Sequence, residues 1–399
     1  MNLNKKLVFT FALLSMTQVI LPAQEQKASA TTITTSSISK TIHSLPSATN
    51  QMITDGQNSL GLSSFNFLTL SQEEQDVVFV RLWALAAKQG CVEAQYKVGK
   101  YYLDNRGVPA GLSEERRQTD AVNFLTLAAD QGHADAQYDL GICYFNNEGV
   151  PASLTQEQRY TESVRLLTLA ANQGHTNAQC DLGNSYFNNE GVSASLTQEQ
   201  RYAEAVRLWT LAANQGNAGA QYYLGLCYFN NEGVSASLTQ EQRDAEAVRL
   251  LTLAADQGHA EAQYVLGICY INNQGIPSTM TKKQRYDNVI HFWNLAANQG
   301  DEEAQYSLGI FLFYNKEIPL TLPQKQRDVE AVRLWTLAAN QGHAEAQCKL
   351  GMRYFKNQGI SLALDQKQRD VEAVRLWTLA ANQGNAEAQR NLEKCLHKN

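Results

Sequence analysis

The chain has 399 residues, 44% of them hydrophobic and 18% charged, with a formal net charge of −6 at pH 7. That apolar share is ample for a packed core, and the length suits two or three ordinary domains or one elongated array. The modest acidic balance, with no basic run to meet phosphates, argues against a nucleic-acid partner.

The first residues differ from the rest. The start MNLNKK is positive, Leu7 to Leu21 is mostly apolar, and Ala28-Ser29-Ala30 offers a small-x-small cleavage site. This is the layout of a secretory signal peptide over residues 1–30, and its apolar run is short for a membrane span. Cleavage after Ala23 is the rival to cleavage after Ala30; an uncleaved anchor or a cytosolic amphipathic start is the plainer alternative. The expected destination is the periplasm or the medium. Residues 31–70 are rich in Ser and Thr and lack periodic apolar positions, which reads as a flexible segment.

From residue 71 to 396 one pattern takes over. Gly90, Gly132, Gly174, Gly216, Gly258, Gly300, Gly342 and Gly384 each close a copy of A-A-x-Q-G, and successive copies lie 42 residues apart. A fixed period in this range is the signature of a solenoid. Seven full units are predicted, with an unpaired half unit at each end. Within a unit, a second helix opens at LTQEQR, where Thr197 stands three residues before Gln200 as in a capping box. Ser71/Glu74, Thr155/Gln158, Thr239/Gln242, Thr281/Gln284 and Asp365/Gln368 share that phase. Val206, Trp209 and Ala213 follow at helical spacing, and Gly216 stands where a left-handed residue ends a helix. A first helix then runs through AGAQYYLGLCYFNN, with Ala220, Leu224, Cys227 and Tyr228 on one face, to a stop near Gly233. Two amphipathic helices per unit bury their faces only by stacking on neighbours. Gly225, inside the first helix, predicts the close approach of another helix. Trp83, Trp209, Trp293, Trp335 and Trp377 fall where other units place Leu, so they read as core.

The run AQYYLGLCYFNNEGV followed by AEAVRLWTLAANQG resembles the Sel-one-like repeats, relatives of the tetratricopeptide repeats. Ala220, Leu224, Gly225, Tyr228, Gly233 and Val234 carry the resemblance in the first helix and turn. Ala205, Trp209, Ala212, Ala213 and Gly216 carry it in the second. It covers residues 71–396. It implies an all-α, right-handed superhelical solenoid that scaffolds protein complexes, with relatives acting in quality control, signalling and bacterial contact with host cells. The stretch SASLTQ reads as an insertion in the inter-helix loop. Unit six departs further: Glu317 replaces the turn glycine, and Pro319 and Pro323 follow, so regular stacking is in doubt there.

Chemistry is sparse. Cys143, Cys227 and Cys269 share a phase on the packing face, Cys180 and Cys348 stand where other units have Tyr, and Cys91 and Cys395 lie near the ends. Cysteine-rich exported members of the family it resembles bridge the paired helices of each repeat, but no unit here has such a regular pair. Buried free thiols are expected over a disulfide framework. His133, His175, His259 and His343 recur just after the Gln-Gly corner with no second ligand at metal spacing, and the same position accepts Asn217, Asp301 and Asn385. Glu204/Arg207 and their copies read as surface pairs. No catalytic residue, metal or cofactor is assigned.

What varies is a stripe on the first helix, set apart from the packing face by 3-and-4 spacing. It contains Lys97, Asp139 and Asp181 early, then Tyr223, Leu226, Val265, Ile268, Ile310 and Tyr314, then Lys349, Met352 and Lys356. In arrays of this kind the first helix lines the concave face, so the stripe is the expected groove for a protein or peptide; unconstrained surface is the bland alternative. The expected protein is an exported, monomeric, non-enzymatic scaffold. A hydrolase of cell-wall-like substrates and a purely structural spacer are the competing classes. Gln215, present at this corner in every copy, is expected to hydrogen-bond backbone between the helices.

Overall fold

The computed structural model describes residues 71–315, 323–360 and 364–396. The expected signal peptide and Ser/Thr-rich segment lie outside these, as do Glu317 and Pro319. Among the described residues there are sixteen α-helices and no strand. None of these helices is long and apolar enough to cross a membrane.

The chain divides into two compact units, residues 1–194 and 195–399. The first contains α1 (Gln72–Ala87), α2 (Val92–Leu103), α3 (Glu114–Ala129), α4 (Ala134–Asn146), α5 (Gln156–Asn172) and α6 (Thr176–Asn188). The second contains α7 (Gln198–Asn214), α8 (Ala218–Asn230), α9 (Gln240–Asp256), α10 (Ala260–Asn272), α11 (Lys282–Asn298) and α12 (Glu302–Tyr314). It continues through α13 (Gln324–Asn340), α14 (Ala344–Lys356), α15 (Gln366–Asn382) and α16 (Ala386–Leu396). Within each unit every helix packs on the next in sequence. The odd-numbered helices are the predicted second helices of the repeat and the even-numbered ones the first.

Each boundary has a local cause. At α9, Thr239 Oγ1 accepts from the Gln242 amide at 3.2 Å while Gln242 Oε1 accepts from the Thr239 amide at 2.9 Å, closing the predicted box. The same reciprocal caps form at Ser71, Thr155, Thr197, Thr281 and Asp365. Arg243 then reaches back to the carbonyl of Leu238 at 2.7 Å, tying the inserted loop to the helix it precedes. At the far end Gly216 takes φ +89° with nothing near its missing Cβ, so the residue is there for backbone conformation alone. The first helices end on an asparagine in the left-handed region, as at Asn231 with φ 59°. Unit six breaks this rule: Asn315 is extended at φ −83°, and Pro323 begins α13 without a side-chain cap. Even so, α12 and α13 pack together like the other pairs.

The glycines inside α2, α4, α8, α10, α12 and α14 have the opposite cause. A Cβ on Gly309 would lie 2.5 Å from the indole nitrogen of Trp335, and one on Gly99 would lie 2.8 Å from Leu125 Cγ. The close approach is therefore that of the large side chain on the following second helix. Trp293 fills this slot and donates from Nε1 to the Tyr264 carbonyl at 2.9 Å; Trp335 and Trp377 repeat the bond to Tyr306 and Cys348. All five tryptophans are at most 4% exposed, as a core stripe requires. Cys143, Cys180, Cys227, Cys269 and Cys348 are buried free thiols within the same packing.

Candidate interaction surface

Two polar ladders hold the first helices in register, and both shape the surface beside them. The first is made of amides. Gln257 donates to Gln221 Oε1 at 2.8 Å, and Gln221 donates in turn to the Ala213 carbonyl at 3.2 Å. The same pair recurs as Gln131/Gln95, Gln173/Gln137, Gln299/Gln263, Gln341/Gln305 and Gln383/Gln347, always 36 residues apart. The corner glutamine also meets backbone, on its own helix rather than between the two: Gln131 donates to the Leu127 carbonyl at 2.8 Å and Gln215 to that of Leu211 at 3.5 Å. The inter-repeat amide bond is the shorter one in nearly every copy, and periodicity within one helix gives no sign of it.

The second ladder is aromatic. His133, His175, His259 and His343 are N-caps, as the helix-start reading requires. Their rings stack on Tyr96, Tyr138, Tyr222 and Tyr306 of the preceding repeat at 4.5–4.8 Å between centroids. A signal for this exists in the sequence: Cys180 and Cys348 replace that tyrosine, and the caps that follow them are Asn217 and Asn385.

The stripe lies beside these ladders, and its members divide into two groups. Asp139, Asp181 and Lys349 are half-buried and already engaged. Asp181 accepts from the Tyr138 hydroxyl at 3.0 Å, Asp139 lies 3.5 Å from Lys100, and Lys349 pairs with Glu387 at 2.8 Å. Burial pushes both aspartates above the usual carboxylate range. Lys97 pairs with Glu93 on its own helix at 3.5 Å. These charges join repeat to repeat or turn to turn, so the early acidic patch belongs largely to the array itself. The other group is in the second compact unit. Tyr223 is 36% exposed, stacked on Trp209 with centroids 5.4 Å apart, and Tyr314 is 51% exposed. Leu226, Val265, Ile268, Ile310 and Met352 are half-buried, the last four packed against the core, and Lys356 is exposed. At the far end Arg353 donates to the Tyr314 hydroxyl at 3.5 Å and stacks over Phe313 at 4.3 Å.

The surface pairs Glu162/Arg165, Glu204/Arg207, Glu246/Arg249, Glu330/Arg333 and Glu372/Arg375 line the second helices at 2.5–2.6 Å. Exposed pairs of this kind contribute about 0.3–0.5 kcal/mol each. Among the described residues no group of three or more His, Cys, Asp or Glu could hold a metal ion.

Similarity to known proteins follows the same architecture. The Sel1 repeat matches seven consecutive segments, residues 92–133, 134–175, 176–217, 218–259, 260–301, 302–343 and 344–385. The structure is similar to that of c5321, a protective antigen present in uropathogenic Escherichia coli strains displaying an SLR fold. The identity there is 27% and the TM-score 0.60, over 82% of this chain and 61% of that one. This chain thus spans about three fifths of the length of the E. coli protein. A Sel1 repeat protein from Oxalobacter formigenes is similar at 25% identity and a TM-score of 0.57, over 96% of this chain and 93% of that one. No curated protein matches. Proteins of Sel1 repeats generally serve as scaffolds for protein–protein contacts. With seven consecutive repeats matched, and the corner and in-helix glycines in the same phase in all of them, this chain belongs to the Sel1 repeat family.

Proposed function

We propose that this protein is an exported, non-enzymatic scaffold that takes a protein or peptide along the first-helix stripe, centred on the second compact unit. One observation carries the reading. In a framework whose repeats are otherwise near copies, Tyr223 and Tyr314 are exposed aromatics bracketing the half-buried Leu226, Val265, Ile268 and Ile310. Aromatic anchors flanked by partly buried aliphatic side chains are what a partner's apolar residues dock against. Lys356 adds a cation at one end, suited to an acidic residue of the partner. Asp139, Asp181 and Lys349 act as struts.

The test is affinity capture with the triple variant Tyr223→Ala, Ile268→Ala, Tyr314→Ala, its helicity checked by circular dichroism. Loss of the captured protein in a folded variant is expected; unchanged capture would sink the reading. Export rests on the start of the sequence, and the intact mass of the protein recovered outside the cytoplasm tests it. Cleavage after Ala23 or Ala30 is expected, and a full-length mass contradicts it.

A further inference from the structure

The four histidine caps are alike in sequence phase and unlike in what faces them. In each, Nδ1 accepts from the amide three residues on: Ala136 at 3.2 Å, Ala178 at 3.1 Å, Ala262 at 3.3 Å and Ala346 at 3.2 Å. Only a neutral ring with its proton on Nε2 can accept there. Adding a proton makes Nδ1 a donor opposite another donor. It also sets a positive charge at a helix N-terminus, where the dipole already disfavours one.

In three of these caps a carboxylate faces the other ring nitrogen, Nε2. Nε2 of His133 lies 3.1 Å from Glu93, that of His175 3.3 Å from Asp135, and that of His343 3.4 Å from Glu303. Each acid comes from the preceding first helix. Before His259 the same position is Gly219, which has no side chain to offer. The groups around the His259 ring are few. Tyr222 of α8 stacks on it, the α9 corner brings the Ala254 carbonyl to its backbone amide at 3.1 Å, and Glu261 of α10 lies 3.3 Å from Nδ1. Asp301, which caps α12, acts on Tyr222 as a further negative charge nearby. Burial holds the ring below the ordinary imidazole range, against the opposing pull of Glu261.

We propose that the corner between α9 and α10 is an acid-labile joint. When His259 takes a proton, α10 loses its N-cap and its first turn opens, while the three corners with a carboxylate at Nε2 hold. The sign follows from linkage. The folded ring binds its proton more weakly than the unfolded chain, whose value is near 6.5. The stability owed to the neutral cap is therefore full above about pH 6.5 and falls as the pH drops below it. This joint lies between Leu226 and Val265, so if the stripe binds a partner, acid would interrupt it mid-length. The joint itself does not depend on that reading.

Hydrogen–deuterium exchange at pH 7.5 and pH 5.0, corrected for intrinsic exchange, tests it on the full chain. Protection of the first-turn amides of α10 is expected to fall about tenfold at pH 5.0, with a change under about twofold at α4 and α14. His259→Asn should remove the pH dependence, because asparagine is the cap this chain already uses at Asn217, where Oδ1 accepts from the Ala220 amide at 2.8 Å. Gly219→Glu should supply a carboxylate at Nε2 and restore protection at pH 5.0. Protection at α10 that ignores pH, an equal loss in His259→Asn, or an equal loss at all the histidine corners overturns the proposal.

Discussion

The two invariant glycines of the unit differ in what they cost to replace, because one serves space and the other conformation. Gly309→Ala drives a methyl into the Trp335 indole, which the core holds fully buried. Overpacking of this kind costs about 1–3 kcal/mol. Gly216→Ala meets no neighbour and costs the left-handed conformation, about 1 kcal/mol. Urea unfolding of both variants checks the order; a costlier Gly216→Ala would mean that packing at Gly309 is looser than its distances imply. The thiols give a second prediction. Burial raises Cys143, Cys227 and Cys269 to about 12, so the thiolate is scarce at pH 8. In the native protein these three should stay silent to a thiol reagent at pH 8 and react when denaturant is added. Prompt modification of the folded chain contradicts the burial.

At the level of the helix and its corners, the amide ladder is what converts a repeated sequence into a fixed register. Gln257→Ala removes the donor to Gln221 and leaves a buried amide oxygen without its partner. A loss of about 1–3 kcal/mol is expected. The exposed ion pair Glu246/Arg249, removed as a pair, should cost under about 0.5 kcal/mol on the same urea measurement. Equal effects would mean that the amide ladder adds no more stability than a surface ion pair. This level also shows what the sequence made legible. Caps and corners act over three or four residues, so Thr197/Gln200 and Gly216 could be read directly, as could the Trp stripe from its phase. The Gln257–Gln221 and His259–Tyr222 contacts join residues a whole helix pair apart, and no local period reports them. The paired exchange of Tyr for Cys and His for Asn was the available clue. The stripe was legible as a set of varying positions. Its division into struts and exposed members was not, because Asp181 and Lys349 acquire partners, Tyr138 and Glu387, only when neighbouring repeats stack.

Within each compact unit, similar repeats form a frame, and the first-helix stripe is a set of positions that varies between them. A frame of this sort can present a surface without any residue being chemically special, which fits a family that works by scaffolding. In the proposed reading, the exposed members of the stripe in the second compact unit meet the partner. Site-specific photo-crosslinking tests it most directly. A photoreactive phenylalanine analogue is placed singly at Tyr223, at Tyr314 and, on the second-helix face, at Arg249. Positions 223 and 314 are expected to capture the same protein and position 249 none. Capture from position 249 alone, or none from 223 and 314 when 249 reacts, contradicts it.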